Sequence, residues 1–181
     1  MASEPIDDTA LTLAAKDGDI DAFETLVRRH TPAAYAHALR FFGDSSAAED
    51  VVQEVWIKVY RALDGFDGRA RFSTWLYRVV RNTCLDQVRQ GKRRPIPVES
   101  LDAGPTPGDF ADAVALSASL EHALRELPQE DRDAFSAVSV FDLTYAEAAE
   151  ALGVPVGTVK SRVFRARRSL AVTLGTTPGG V

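Results

Sequence analysis

Apolar residues recur every three or four positions along most of this chain, a spacing that predicts an all-α protein. Leu11 to Lys16 gives a short helical pattern that Asp17-Gly18-Asp19 interrupts. From Ile20 onward Ala22, Phe23, Leu26 and Val27 mark an amphipathic helix. A further helix is expected after Thr31-Pro32, running through Tyr35, Ala38, Leu39 and Phe42 to the break at Gly43-Asp44-Ser45. Between Ser46 and Leu63 the stripe is Val52, Val55, Val59 and Leu63, with Trp56 and Tyr60 widening it. After the loop Asp64 to Phe72, Ser73 or Thr74 can cap a helix from Trp75 to about Gln90. Its Leu76, Val80, Cys84 and Val88 fall at strict four-residue spacing, so Cys84 reads as a small buried hydrophobe.

The pattern stops at residues 95–111, where Pro95, Pro97, Pro105 and Pro107 alternate with glycines and few large apolar groups remain. That composition predicts a flexible boundary. Beyond it, Val114, Leu116, Leu120, Leu124 and Leu127 suggest one helix, and Pro128 and Asp131 start another. Phe135, Val138 and Phe141 of the latter are expected to pack against the helix pair that follows. In that pair Thr144 and Glu147 have capping-box spacing, Gly153 ends the first helix and Pro155 opens the second. Val156, Val159, Val163, Ala166 and Leu170 form the expected buried stripe of the second helix. The predicted architecture is two small helical domains, 1–94 and 112–174, joined by a flexible Pro/Gly-rich linker, with a helix-turn-helix in the second and a disordered tail at 175–181.

Charge sharpens this picture. The net charge of -5 hides a polarised distribution. Nine acidic residues face only two basic ones from Pro95 to Asp133, whereas eight basic residues face Asp86 alone from Arg69 to Arg94. Between Pro155 and Leu170 there are five basic residues and no acidic one. Two basic patches on an acidic chain point to DNA contact at two places. The bland alternative is a helical hairpin and a helix with solvated charged faces, but surfaces that serve only solubility usually mix signs.

Candidate chemistry follows the patches. On the helix after the loop, Trp75, Arg78, Asn82 and Arg89 share an edge, with Tyr77 and Arg81 nearby; aromatics among arginines can stack on separated bases while guanidinium groups hold the backbone. The helix at 46–63 carries a polar edge of Glu49, Asp50, Gln53, Glu54 and Lys58, whose spacing fits a docking site or plain solvated surface equally. Cys84 is the only cysteine, and His30, His37 and His122 lack metal-ligand spacing, so neither a disulfide nor a metal or other cofactor is expected. No clustered acid, base and nucleophile set argues for an enzyme. No apolar run is long enough to cross a bilayer, which favours a cytoplasmic chain.

Four stretches together resemble the extracytoplasmic-function (ECF) group of bacterial RNA polymerase sigma factors: GDIDAFETLVRRH at 18–30, AEDVVQEVWIKVYRAL at 48–63, FDGRARFSTWLYRVVRNTCLDQVR at 66–89, and the unit from Leu127 to Leu170. The resemblance implies that 1–94 is sigma region 2 and 112–174 sigma region 4. It implies docking of Asp50, Gln53, Glu54 and Trp56 on core polymerase. It implies capture of the melted non-template minus-ten strand by Phe66, Arg69, Arg71, Phe72, Trp75, Arg78 and Asn82. The minus-thirty-five duplex would be read by Thr158, Lys160, Ser161, Arg162, Phe164, Arg165, Arg167 and Arg168. An anti-sigma protein is the implied inhibitory partner, one that can hold the factor at a membrane. A helix-turn-helix regulator that binds duplex DNA without joining polymerase is the competing reading.

Overall fold

In the computed structural model of the chain, residues 7–91, 123–124 and 126–173 are described. The expected linker, the tail, the basic cluster at 92–94 and the positions Val114, Leu116 and Leu120 lie outside them. The fold is all-α. Four helices form a first unit: α1 (Asp8–Lys16), α2 (Ile20–Phe42), α3 (Ser45–Ala62) and α4 (Phe72–Arg89), with a 3-10 turn at Leu63–Gly65 after α3. Among the described residues, three more form a second: α5 (Gln129–Ser139), α6 (Tyr145–Leu152) and α7 (Val156–Thr173).

Aspartate side chains cap two helices of the first unit, α2 and α3. Asp19 accepts from the Ala22 N–H at 3.0 Å and Asp44 from the Ala47 N–H at 2.6 Å, each satisfying a donor the helix itself leaves unpaired. The expected break at Pro32 does not occur; α2 continues straight through it. An interior proline costs about 3 kcal/mol, yet the turns beyond it bury Ala34, His37, Ala38, Phe41 and Phe42. Burying each phenylalanine alone contributes roughly 1.5–3 kcal/mol, so packing outweighs the local penalty.

The start of α4 also departs from expectation. Arg71 takes the capping position without a side-chain cap, and Ser73 and Thr74 lie buried inside the first turn. Thr74 donates instead to Glu147 of α6 at 3.2 Å. The predicted stripes otherwise hold: Val55, Val59, Leu76, Val80 and Cys84 are fully buried, and Leu63 nearly so. Tyr60 is 67% exposed, so it lies outside the α3 stripe.

In the second unit the Thr144–Glu147 capping box is present and Gly153 ends α6 at a φ of 68°. Val159, Val163, Ala166 and Leu170 are buried, whereas Val156 is 40% exposed because it stands in the first turn of α7, ahead of the packed face. Phe135 packs on a small cluster of Leu124, Leu127, Ala166 and Leu170. Phe141, expected against the helix-turn-helix, turns the other way. Its ring lies 5.1 Å from Tyr77 of α4 and 6.2 Å from His37 of α2.

The two units therefore share one continuous buried cluster. Polar contacts cross the same boundary. The Tyr77 hydroxyl donates to the Asp133 carbonyl at 2.9 Å, Arg81 pairs with the Asp133 carboxylate at 2.8 Å, and Arg132 donates to the Arg40 carbonyl at 2.8 Å. His37 Nδ1 lies 2.9 Å from the Ser136 hydroxyl, while its Nε2 is buried without a partner among the described residues.

Candidate nucleic-acid and polymerase interfaces

The polar edge of α3 is unevenly exposed. Asp50 and Gln53 are exposed. Glu54 pairs with Lys58 one turn on at 2.9 Å and accepts from Gln87 of α4, so it also ties α3 to α4. Trp56 is half-buried; its indole N–H donates to the Thr31 hydroxyl at 3.0 Å and its ring meets Phe23 edge-on. Ile57 and Tyr60, both more than half exposed, extend this edge with apolar surface that the sequence pattern alone does not single out.

The loop between α3 and α4 is held at its base. Lys16 of α1 donates to the Phe66 carbonyl at 2.7 Å, and Asp67 accepts the Arg69 N–H at 3.0 Å. Gly68 takes a φ of 72°, a region that favours glycine. The result brings the Phe66 and Trp75 rings to 5.0 Å, with Phe72 5.8 Å from Trp75. These rings are not equivalent. Phe72 is buried beneath the other two, 5.1 Å from His30, whereas Phe66 and Trp75 stay half-exposed on an open cleft of about 300 Å³. Arg69, Arg78 and Glu150 complete the cleft wall, and exposed Asn82 lies farther along α4. Tyr77 and Arg81, which share this stretch in sequence, face the second unit instead.

Several predicted strand-binding cations have carboxylate partners. Arg78 pairs with Glu150 at 2.8 Å, Arg71 donates to the Asp142 carbonyl at 3.1 Å, and the Glu147 carboxylate stands 3.9 Å from Arg71. Burial pushes the Glu147 carboxyl up, but hydrogen bonds from Thr144 and Thr74 and the Arg71 charge prevail and hold it below the usual range.

On α7, Lys160, Ser161, Phe164, Arg165, Arg167 and Arg168 are exposed, and Thr158 and Arg162 are half-buried. The basic residues fall into two sets. Arg162 pairs with Glu130, and Arg165 forks onto Asp131 through Nε at 3.0 Å and Nη2 at 2.6 Å. The hydrogen bond to Asp131 raises the Arg165 pKa further. Lys160, by contrast, lies 5.9 Å over the Tyr145 ring, and Lys160, Arg167 and Arg168 have no ion pair among the described residues. Composition could not foresee this split, because Glu130 and Asp131 sit some thirty residues away on α5.

No group of three or more histidine, cysteine or carboxylate side chains among the described residues could hold a metal. Burial pushes the Cys84 thiol pKa far up, so it is not a reactive thiolate. None of the helices among the described residues is long and apolar enough to cross a membrane. A basic helix-turn-helix beside a second basic face bearing clustered aromatic rings defines a DNA-reading transcription protein.

Comparisons narrow the class. Sigma-70 region 2 matches residues 26–94 and Sigma-70, region 4 matches residues 117–170. The ECF RNA polymerase sigma-E factor of Escherichia coli is 36% identical over 181 residues, covering 93% of this chain and 94% of the relative. The ECF RNA polymerase sigma factor SigW of Bacillus subtilis is 33% identical over 172 residues, covering 86% and 90%. Among solved structures, CnrH in complex with the cytosolic domain of CnrY aligns with a TM-score of 0.67 at 28% identity, covering 93% of this chain and 97% of that one. Sigma factor RpoE in complex with the anti-sigma factor NepR from Bartonella quintana aligns at 0.68 and 27%, covering 86% and 98%. The chain belongs to the ECF subfamily of sigma-70 RNA polymerase sigma factors. It is a non-catalytic factor that directs transcription initiation through promoter recognition.

Proposed function

We propose that the two units divide promoter recognition between unpaired and paired DNA. The first docks on core polymerase through Asp50, Gln53, Glu54 and Trp56 of α3, with Ile57 and Tyr60 adding apolar contact. Its cleft takes bases of the non-template minus-ten strand against the exposed faces of Phe66 and Trp75, while Arg69, Arg71 and Arg78 hold the phosphates and Asn82 contacts a base edge. Phe72 supports the two rings from below. The observation that carries this reading is the half-exposed Phe66–Trp75 pair flanked by Arg69 and Arg78 in the segment that matches sigma region 2.

The energetics fit a binding mechanism without hydrolysis. Unstacking costs on the order of 1.4 kcal/mol per base step, and stacking a freed base on an aromatic ring returns roughly 1–3 kcal/mol. Capture of the open strand therefore biases melting, and polymerase supplies the chemistry. Region 4 reads the minus-thirty-five duplex through α7. Lys160, Arg167 and Arg168 meet phosphates or bases directly. Ser161, Thr158 and Phe164 face the groove, while Arg162 and Arg165 do so from positions set by Glu130 and Asp131. Two modestly selective elements on one chain become selective by requiring both sites at one separation. Because CnrH and RpoE were each solved with a partner of their own, an anti-sigma protein is also the inhibitory partner proposed here.

Reconstitution with sigma-free core polymerase tests the assignment. A randomised promoter library should yield bipartite promoters that the holoenzyme opens. Asn82→Ala should reduce permanganate reactivity of the minus-ten bases while leaving duplex binding and polymerase pull-down intact. Binding to duplex DNA with no polymerase association would instead favour a helix-turn-helix regulator.

A further inference from the structure

A helix assigned no contact with DNA or polymerase holds the loop that carries Phe66. Lys16, half-buried in the last turn of α1, donates through Nζ to the Phe66 carbonyl at 2.7 Å, across fifty residues of sequence. Among the described residues the loop's other hydrogen bonds are short-range. The Phe66 N–H donates to the Leu63 carbonyl at 3.0 Å, and the Arg69 N–H to the Asp67 carboxylate at 3.0 Å. Those bonds shape the turn, whereas the Lys16 bond ties it to another element.

The tie acts on one torsion. Phe66 is extended, with φ -69° and ψ 115°. Rotation about ψ would swing its carbonyl away from Lys16 and carry the Asp67-Gly68-Arg69 turn with it, because the peptide unit is planar. Holding the carbonyl therefore sets the Phe66 ring, 5.0 Å from Trp75, relative to Arg69 on the cleft wall. Lys16 can do this because α1 is itself anchored. Leu11 and Thr12 are buried, and the Asp8 carboxylate pairs with Arg29 and lies 2.7 Å from His30 Nε2 on α2. The His30 ring in turn stands 5.1 Å from Phe72. A cation in the last turn also suits the negative end of the helix.

We infer that Lys16 is a positioning residue for minus-ten strand capture. It presets the loop, before DNA arrives, in the form whose Phe66 and Trp75 faces receive unpaired bases. A loop that visits that form only part of the time binds the strand more weakly by the same fraction. This rests on the reading of the loop and α4 as strand-binding.

Lysine, arginine, glutamine and methionine have nearly equal helix propensities, so substitutions at Lys16 can remove the donor without weakening α1. Holoenzyme reconstituted with sigma-free core polymerase is titrated against fluorescent promoter DNA whose minus-ten element is held open by mismatches. Lys16→Met should bind it about fivefold more weakly than the unaltered chain. Lys16→Gln should fall between the two, and Lys16→Arg, which keeps a charged donor, should bind nearly as tightly as the unaltered chain. In the free chain, hydrogen exchange at residues 64–70 should quicken in the same order, with α1 and α2 unchanged. The slope of strand binding against salt should not change, because no phosphate contact is lost. A fall of about 0.7 in that slope makes Lys16 a phosphate ligand instead and overturns the inference. Strand binding and loop exchange that stay unchanged, or that do not move together, also overturn it. So does exchange that quickens across α1 and α2 as well as the loop, which marks a general structural role. Promoter-dependent transcription is read in parallel. If the unaltered holoenzyme is active and Lys16→Met captures the strand normally, the positioning role alone falls. If the unaltered chain supports no promoter-dependent transcription, the functional reading falls instead.

Discussion

Arg165 and Arg168 lie on the same helix, yet they should behave differently when removed. Arg165 forks onto nearly buried Asp131, whereas Arg168 is exposed and has no ion pair among the described residues. For Arg168→Ala, the slope of log affinity for promoter duplex against log salt should fall by about 0.9, the signature of one lost phosphate contact. Arg165→Ala should in addition lower the melting temperature, because it strands the Asp131 carboxylate. A salt series and thermal melts on both variants check this. His37 supplies a pH prediction. Burial, reinforced by the charges of Arg40, Arg81 and Arg132 and opposed by Asp133, lowers its pKa from 6.5 to about 4. A lowered histidine pKa means that the unfolded chain binds more protons, so stability is complete above pH 6.5 and declines as pH falls toward 4. The loss is on the order of 3 kcal/mol at most. Melts from pH 7 to 4 should show a shallower dependence in His37→Gln than in the unaltered chain.

At the scale of elements, α6 shows how closely local chemistry set the helix-turn-helix. Thr144 and Glu147 satisfy each other's backbone donors, and Gly153 takes a left-handed φ of 68° with open space where a Cβ would stand. Gly153→Ala should therefore cost about 1–2 kcal/mol from backbone strain alone, without a clash. Denaturant midpoints should shift accordingly, while Gly157→Ala, with similarly open surroundings inside α7, should be neutral or stabilising. Capping residues, glycine and helical period act within a few residues, which made this motif legible in sequence. Local rules failed at Pro32 and at Ser73 and Thr74 for a common reason. Pro32 is itself exposed but the turns that follow it pack on distant helices, Ser73 and Thr74 are buried there, and buried area outweighs a lost hydrogen bond or an unused cap.

For the whole molecule, the boundary between the units is the feature that tests can resolve. Tyr77→Phe deletes only the hydroxyl that donates to the Asp133 carbonyl across that boundary. It should cost about 1 kcal/mol of stability, visible in equilibrium unfolding. Because the lost bond joins the units, energy transfer between probes on α3 and α5 should also decrease. Phe141 was legible as an apolar helical position, but its partners were not; it joins Tyr77 and His37 rather than the helix-turn-helix. Arg71 and Arg78 were legible as cations of a basic face, while their partners, the Asp142 carbonyl and the Glu150 carboxylate, lay about seventy residues away.

Periodicity, capping residues and charge runs determined by themselves that this chain is helical, that it carries a helix-turn-helix, and that its basic side chains gather in two places. Each is a property of neighbours along the chain, with interaction ranges of one or two turns. Only the tertiary structure decided which cations are paired, which rings are exposed and which surface of one unit covers the other. Those outcomes depend on side chains brought together across long separations, where burial and complementary charge, rather than local spacing, select the contacts.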